Sequence, residues 1–215
     1  MNSRNFNKIN ILRYFYLKIC AKLYSVGKIE NDKNLIFQFN NKAVINSFSK
    51  FYLGSSLINL ANDKTRIVIG ENCHIYGNLT IMNQGGEIHI GNNCSVGENS
   101  RIVSLNKIKI GNRVMIAHNV NIIDNNSHPI DSNERHKDFL NNYLENKIAL
   151  EIDNKEIIIE DDVWIGFNST IMKGVKIGRG AIIGANSVVT KDIAAWTVNV
   201  GNPLRVVRKL DPIDF

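Results

Sequence analysis

The amino-acid sequence predicts an all-β fold, a solenoid of triangular coils, and three observations carry that expectation. Fifteen branched apolar residues keep a six-residue beat: Ile69, Ile75, Ile81, Ile90, Val96, Ile102, Ile110, Ile116, Ile122, Ile159, Ile165, Ile171, Ile177, Ile183 and Val189. A period of six is neither the 3.6 of an amphipathic helix nor the 2 of an ordinary strand, so the chain reads as a structural repeat. Glycine often follows the marked residue, as at Gly70, Gly91, Gly97, Gly111, Gly166, Gly178 and Gly184, and Asn or Asp populates the turns between. Two residues before the marked position the chain is small or β-branched: Cys73, Cys94, Ser100, Val114, Val120, Val163, Ser169, Val175, Ala181 and Ser187. That pattern predicts a second, narrower inward slot.

Taken in threes, the marked residues form five coils, 69/75/81, 90/96/102, 110/116/122, 159/165/171 and 177/183/189. The steps between them are 9, 8, 37 and 6 residues, so one step is grossly long. Its 31 extra residues form an extruded loop, about 124–156, reading "DNNSHPIDSNERHKDFLNNYLENKIALEIDNKE". Loops beyond about 15 residues inside compact domains are commonly functional or disordered.

Order along the chain follows from these features. Residues 1–30 form a basic amphipathic helical segment, with Ile9, Leu12, Tyr16, Ile19 and Leu23 spaced 3, 4, 3 and 4. It either covers the first coil or packs in an oligomer, or else rests as a peripheral contact on an anionic inner membrane. Residues 31–66 are lead-in strands or a cap, 67–195 the repeat with its loop, and 196–215 a C-terminal cap. Within that cap, a short helix after Pro203 would put Arg205 and Arg208 on one face.

Composition narrows the classes. At 215 residues and 44% hydrophobic, the chain is long enough for one well-buried domain. Its net charge of +6 sits in the first segment, where Arg4, Lys8, Arg13, Lys18, Lys22 and Lys28 are unopposed until Glu30. With the excess confined there and no recognition motif beside it, nucleic-acid binding is not expected. Cys20, Cys73 and Cys94 make no C-x-x-C pair, which speaks against a disulfide framework or zinc ribbon and fits a reducing compartment. The apolar stretch at 9–19 is broken by Arg13 and Lys18, too short and too charged for a secretory signal or a membrane span. A cytoplasmic protein is expected.

The stretch "VWIGFNSTIMKGVKIGRGAIIGANSVVTKDI" resembles the hexapeptide-repeat acyltransferases, and the two inward slots match that repeat over residues 67–195. The resemblance implies a left-handed parallel β-helix, a homotrimer with active sites between neighbouring copies, and acetyl-CoA as co-substrate without a metal. It is similar to the maltose and galactoside O-acetyltransferase branch and to polysaccharide O-acetyltransferases. The implied activity is transfer of acetyl to a sugar hydroxyl of a glycan acceptor. N-acylation of an amino sugar, or a non-catalytic scaffold, stay as alternatives.

In that branch a His-Pro pair in such a loop supplies the general base, which maps onto His128 in "SHPID". A neutral imidazole, with an ordinary pKa of about 6.5, can take a hydroxyl proton near neutral pH. Asp124 and Asp131 are the candidates to orient it. Trp164 in "DDVWIG" aligns with a tryptophan near the acyl site; it lines the substrate pocket or packs between subunits. A substrate-binding Asn aligns with Asn99, or the position with Glu98, in "VGENSRI". Gly166-Phe167 matches the stretch that offers a backbone N–H to the oxyanion. Ala185, Thr190, Lys191, Arg205 and Arg208 match cofactor-contacting positions. His74, His89, His118 and His136 read as surface groups; no two histidines have the five-residue spacing of the zinc-dependent relatives.

Overall fold

The computed structural model describes residues 35–83, 85–141 and 151–212. The helix expected within residues 1–30 lies outside the described residues.

Six coils of three short strands stack in parallel register. The first coil is β1 (Val44–Ile45), β2 (Lys50–Phe51) and β3 (Ser56–Asn59); the second is β4 (Ile67–Ile69), β5 (His74–Ile75) and β6 (Asn78–Ile81). The third is β7 (Ile88–Ile90), β8 (Ser95–Val96) and β9 (Arg101–Ser104); the fourth is β10 (Ile108–Ile110), β11 (Met115–Ile116) and β12 (Asn121–Ile123). After the long loop come β13 (Ile157–Ile159), β14 (Trp164–Ile165) and β15 (Thr170–Ile171), then β16 (Lys176–Ile177), β17 (Ile182–Ile183) and β18 (Val188–Val189). Each side of the triangle is one sheet: β1-β4-β7-β10-β13-β16, then β2-β5-β8-β11-β14-β17, and β3-β6-β9-β12-β15-β18. The architecture is all-β and consistent with the left-handed β-helix that the resemblance implies.

All fifteen beat residues are at most 3% exposed, and all ten second-slot residues are buried. Burying a branched side chain of this size contributes about 1.5–3 kcal/mol, and here one does so at nearly every strand. The narrow slot tolerates serine because the backbone satisfies it. Ser100 Oγ donates to the Ala117 carbonyl at 2.6 Å and accepts from the Val120 amide at 3.0 Å. Glycine follows the inward residue for want of space: a Cβ on Gly166 would lie 2.6 Å from the Ala185 nitrogen of the next coil.

Charge is organised along one corner. Arg113 and Arg179 both reach Asp162, Arg113 Nε at 2.6 Å and Arg179 Nε at 3.0 Å. The hydrogen bond from Arg113, with the further one from Arg179, holds the Asp162 carboxyl below the usual carboxylate range.

One expectation is sharpened and one corrected. Residues 35–66 hold strands and a closing turn, and β1–β3 make a full coil whose inward residues Ile45, Phe51 and Leu57 keep the beat. Phe and Leu replace Ile there because this end is closed by a helical turn at 35–39, where Phe39 meets Phe51 edge-on with ring centroids 4.8 Å apart. The C-terminal helix is absent among the described residues. Residues 197–200 form β19 (Thr197–Val200), parallel to β17, and β20 (Arg205–Lys209) folds back antiparallel on β19, extending the second sheet to eight strands. An open sheet edge offered unpaired amides, and pairing satisfied them where a five-residue helix could not. No helix among the described residues is long and apolar enough to cross a membrane.

Candidate active site

His128 leaves the solenoid on the loop between β12 and β13, and the loop has a built stem. Asn126 N donates to the Asp153 carbonyl at 3.0 Å and Lys155 N to the Asp124 carbonyl at 2.8 Å, so its two limbs pair antiparallel. Beyond the stem, helix α1 (Ser132–Asn141) opens on Asp131, whose Oδ1 accepts from the Asn133 and Glu134 amides at 2.9 and 3.0 Å. Arg135 ties the helix back to the His128-Pro129 segment by donating to the Ile130 carbonyl at 2.7 Å. This fold-back brings Asp138 Oδ2 to 2.6 Å from His128 Nδ1. A ring nitrogen facing an ionised carboxylate carries the proton, which leaves the Nε2 lone pair free as a base. The imidazole is 61% exposed and Asp138 20%, so the ring is open while its partner is sheltered.

Neither carboxylate expected to orient His128 does so. Asp131 caps the helix, and buried Asp124 accepts from Ser104 Oγ and from the Leu105 and Asn106 amides, fixing the same corner of the preceding coil. Asp138 was missed because its contact exists only once the loop helix forms. A signal was present: Asp131 followed by Glu134 is a capping-box spacing that announces a helix start.

A second group of candidates occupies the outer face of the second sheet and its border with the third. Trp164, 50% exposed, stands in one ladder with Met115 before it and Ile182, Val198 and Arg208 after it. The register between β19 and β20 shifts between Val198 and Asn199, so Val200 faces Arg205 and Val198 faces Arg208. Directly opposed residues share a face, so the bulge puts Arg205 and Arg208 on the side that carries Trp164. Trp164 and Arg208 are three strand spacings apart, about 14 Å. At the bordering corner, Gly166 N already donates to the Ile183 carbonyl at 2.7 Å, which removes it as an oxyanion donor. The Phe167 N–H has no acceptor among the described residues, and its ring stacks on His118 at 5.2 Å with planes 1° apart. Half-buried Ala185 follows in the next coil. Asn99 is exposed there with φ 57°, a left-handed corner shared by Asn119, Asn168 and Asn186, and Glu98 is exposed beside it.

Thr190 and Lys191 lie elsewhere, at the corner between the third and first sheets that also carries the His128 loop. Met172 N donates to the Val189 carbonyl, setting Thr190 above Met172. The candidates of one chain thus form two groups on opposite borders of the third sheet. One holds His128, Thr190 and Lys191, the other Asn99, Trp164, Gly166, Phe167, Ala185, Arg205 and Arg208.

The profile of the bacterial transferase hexapeptide family, six repeats, matches residues 156–191. A galactoside O-acetyltransferase of Lactococcus lactis is 35% identical over 147 residues, covering 68% of this chain and 65% of that protein. The chain belongs to the hexapeptide-repeat transferase family. Alignment with this relative spans just under two thirds of its length. A second relative, the 2,3,4,5-tetrahydropyridine-2,6-dicarboxylate N-acetyltransferase of Staphylococcus aureus, is 46% identical over 57 residues, 26% of this chain and 24% of that one. Among solved structures, AntD, an N-acyltransferase from Bacillus cereus in complex with dTDP and 3-hydroxybutyryl-CoA, shares the fold at a TM-score of 0.61 and 17% identity, over 79% of this chain and 85% of that one.

Residues expected to meet a coenzyme in this hexapeptide-repeat transferase fit its charge. Lys191, Arg205 and Arg208 are exposed and form no ion pair with a described carboxylate, as cations reserved for phosphate would be. Among the described residues, no group of three or more His, Cys, Asp or Glu converges to hold a metal ion.

Proposed function

We propose that the chain is an acetyl-CoA-dependent O-acetyltransferase acting on a sugar hydroxyl, in the making of a surface polysaccharide such as capsule or O-antigen. One observation carries the reading: the His128–Asp138 pair, 2.6 Å apart in the loop that breaks the repeat, with the imidazole exposed. It is supported by the similarity to a galactoside O-acetyltransferase.

Acetyl-CoA supplies the acetyl thioester. His128 Nε2 accepts the proton of the acceptor hydroxyl as its oxygen attacks the thioester carbonyl, while Asp138 balances the imidazolium that forms. The Phe167 N–H donates to the carbonyl oxygen as it becomes an oxyanion, and protonated His128 returns its proton to the leaving sulfur. Arg205, Arg208 and Lys191 pair with phosphate, and Trp164 walls the site between them and the acyl group. Because His128 and Trp164 lie on opposite borders of the third sheet, the reading pairs the loop of one copy with the second-sheet face of its neighbour, in a cytoplasmic homotrimer.

A screen of sugar acceptors with acetyl-CoA, following thiol release and locating the new ester by NMR, tests this. Ester formation on a hydroxyl is the expected result; an amide on an amino sugar would replace it with the second reading, which the Staphylococcus aureus N-acetyltransferase favours. No binding of acetyl-CoA would leave a scaffold.

A further inference from the structure

We propose that the tyrosine pair Tyr52–Tyr76 is a distal subsite for a glycan chain, so that the acceptor is an oligosaccharide or polysaccharide laid along the solenoid rather than a single sugar. The inference rests on the O-acetyltransferase reading, which sets where the reacting hydroxyl lies. One position recurs just past the inward residue of each second-sheet strand: Tyr52, Tyr76, Gly97, Ala117 and Gly166. Backbone hydrogen bonds stack these residues coil on coil, Tyr52 N donating to the Ile75 carbonyl at 3.0 Å, Tyr76 N to Val96 at 2.8 Å, and Gly97 N to Ile116 and Ala117 N to Ile165 at 2.9 Å. The column thus begins with two rings and continues with residues of little or no side chain. Stacking keeps it so, since a Cβ on Gly97 would lie 2.5 Å from the Ala117 carbonyl carbon. Ser95, Met115 and Trp164 border this floor on the sheet side, and exposed Glu98, His118 and Phe167 on the corner side. A furrow therefore runs from the tyrosines to the Phe167 N–H.

The rings at its far end are fixed in advance. Half-buried Tyr52 and Tyr76 lie face to face, with centroids 3.9 Å and planes 8° apart, and the Tyr52 hydroxyl meets His74 Nδ1 at 2.7 Å. One face of Tyr76 rests on Tyr52 of the coil before it. The other looks along the furrow, where Gly97 of the coil after it brings no side chain to cover it. A pyranose presents a patch of C–H groups that matches such a ring face, burying apolar area while its hydroxyls stay at the edge for polar groups. A ring already held loses little freedom when it binds.

Length and charge then select the ligand. From Tyr76 to Gly166 the column takes three strand spacings, about 14 Å, more than one pyranose spans. A single sugar at the reacting position leaves Tyr76 empty, whereas a chain fills both. A nucleotide-linked sugar would place its base on Tyr76 and its diphosphate over Gly97 and Ala117. The side chains flanking those two are Ser95, Met115, Glu98 and His118, with no Lys or Arg among them, and the Glu98 carboxylate repels phosphate. Sugar hydroxyls instead find an acceptor in Glu98 and both a donor and an acceptor in Ser95.

The test offers the full chain acetyl-CoA with galactose, glucose, mannose and N-acetylglucosamine, each as the monosaccharide and as linear oligosaccharides of increasing length. Thiol release gives kcat/KM, which is expected to rise with chain length in at least one series. In Tyr76→Ala and in Tyr76→Leu, which keeps apolar bulk against Tyr52 without a flat ring, the gain of long chain over monosaccharide is expected to fall about tenfold, while Tyr76→Phe retains it. The gain is a ratio within one protein, so a general loss of folded enzyme cancels from it. Turnover independent of chain length, or a gain that survives both substitutions, would overturn the subsite and leave the O-acetyltransferase reading in place. A UDP- or dTDP-linked sugar that outperforms every chain, with the advantage lost in Tyr76→Ala, would overturn it in favour of a nucleobase on the ring. Transfer by the wild type to none of these sugars would overturn the subsite and that reading together.

Discussion

At His128 the proposed chemistry depends on a partner ten residues away, and each half can be tested separately. His128→Ala is expected to lower turnover by about 10²- to 10⁴-fold with assembly intact, measured by thiol release and gel filtration. Asp138→Asn keeps the shape but removes the counter-charge; about a 10-fold to 10²-fold fall in kcat with little change in KM is expected, partly rescued by Asp138→Glu. An unchanged kcat would leave Asp138 a mere helix residue. His128 was legible in the sequence because proline follows it and the repeat breaks around it; Asp138 was not, because nothing local marks which loop carboxylate folds back. Asp162 offers a stability test. Its folded pKa is depressed by Arg113 and Arg179, so its contribution is present above the unfolded carboxylate pKa and lost as pH falls through the lower folded value. With both arginines partly exposed, screening limits the pair energies, and Asp162→Asn is expected to cost about 1 kcal/mol near neutral pH and almost nothing in strong acid, read from thermal melts.

Among the elements, β20 shows best where a local pattern misleads. Arg205 and Arg208 are three apart, a spacing that puts them on one face of a helix and on opposite faces of a regular strand. The structure has a strand, and its bulge against β19 restores the shared face. Arg205→Ala and Arg208→Ala are each expected to raise KM for acetyl-CoA about tenfold with kcat nearly unchanged, since a charge-assisted hydrogen bond to phosphate contributes about 1.5–3 kcal/mol, part of which water recovers. A fall in kcat alone would place these arginines elsewhere than on the coenzyme. Stacking itself is testable at Gly166, where a methyl would collide with the Ala185 nitrogen and the Ile183 oxygen. Gly166→Ala is expected to destabilise by about 2 kcal/mol, measured by denaturant titration. Beat, narrow slot and glycine spacing were all readable, because each reflects one coil touching only its neighbours. The first coil escaped that reading because Phe51 and Leu57, not Ile or Val, fill its capped end.

For the whole molecule, the separation of the two residue groups across the third sheet has one direct consequence. Copies bearing His128→Ala and copies bearing Arg205→Ala/Arg208→Ala, each weakened alone, should regain activity when unfolded together and refolded as mixed oligomers, because some interfaces then carry both intact halves. No recovery above the sum of the two would mean that each chain completes its own site. Spacing along the chain was enough to establish the solenoid, its inward residues and the loop that carries His128, since a six-residue period has few physical solutions and any interruption stands out against it. Contacts between residues distant in sequence were needed for the rest: the carboxylate that meets His128, the strand that replaces a helix after Pro203, and the division of the candidate residues between two borders. Those features arise from the pairing of a sheet edge and the folding back of a loop, and the free energy of such contacts depends on neighbours that no local pattern names.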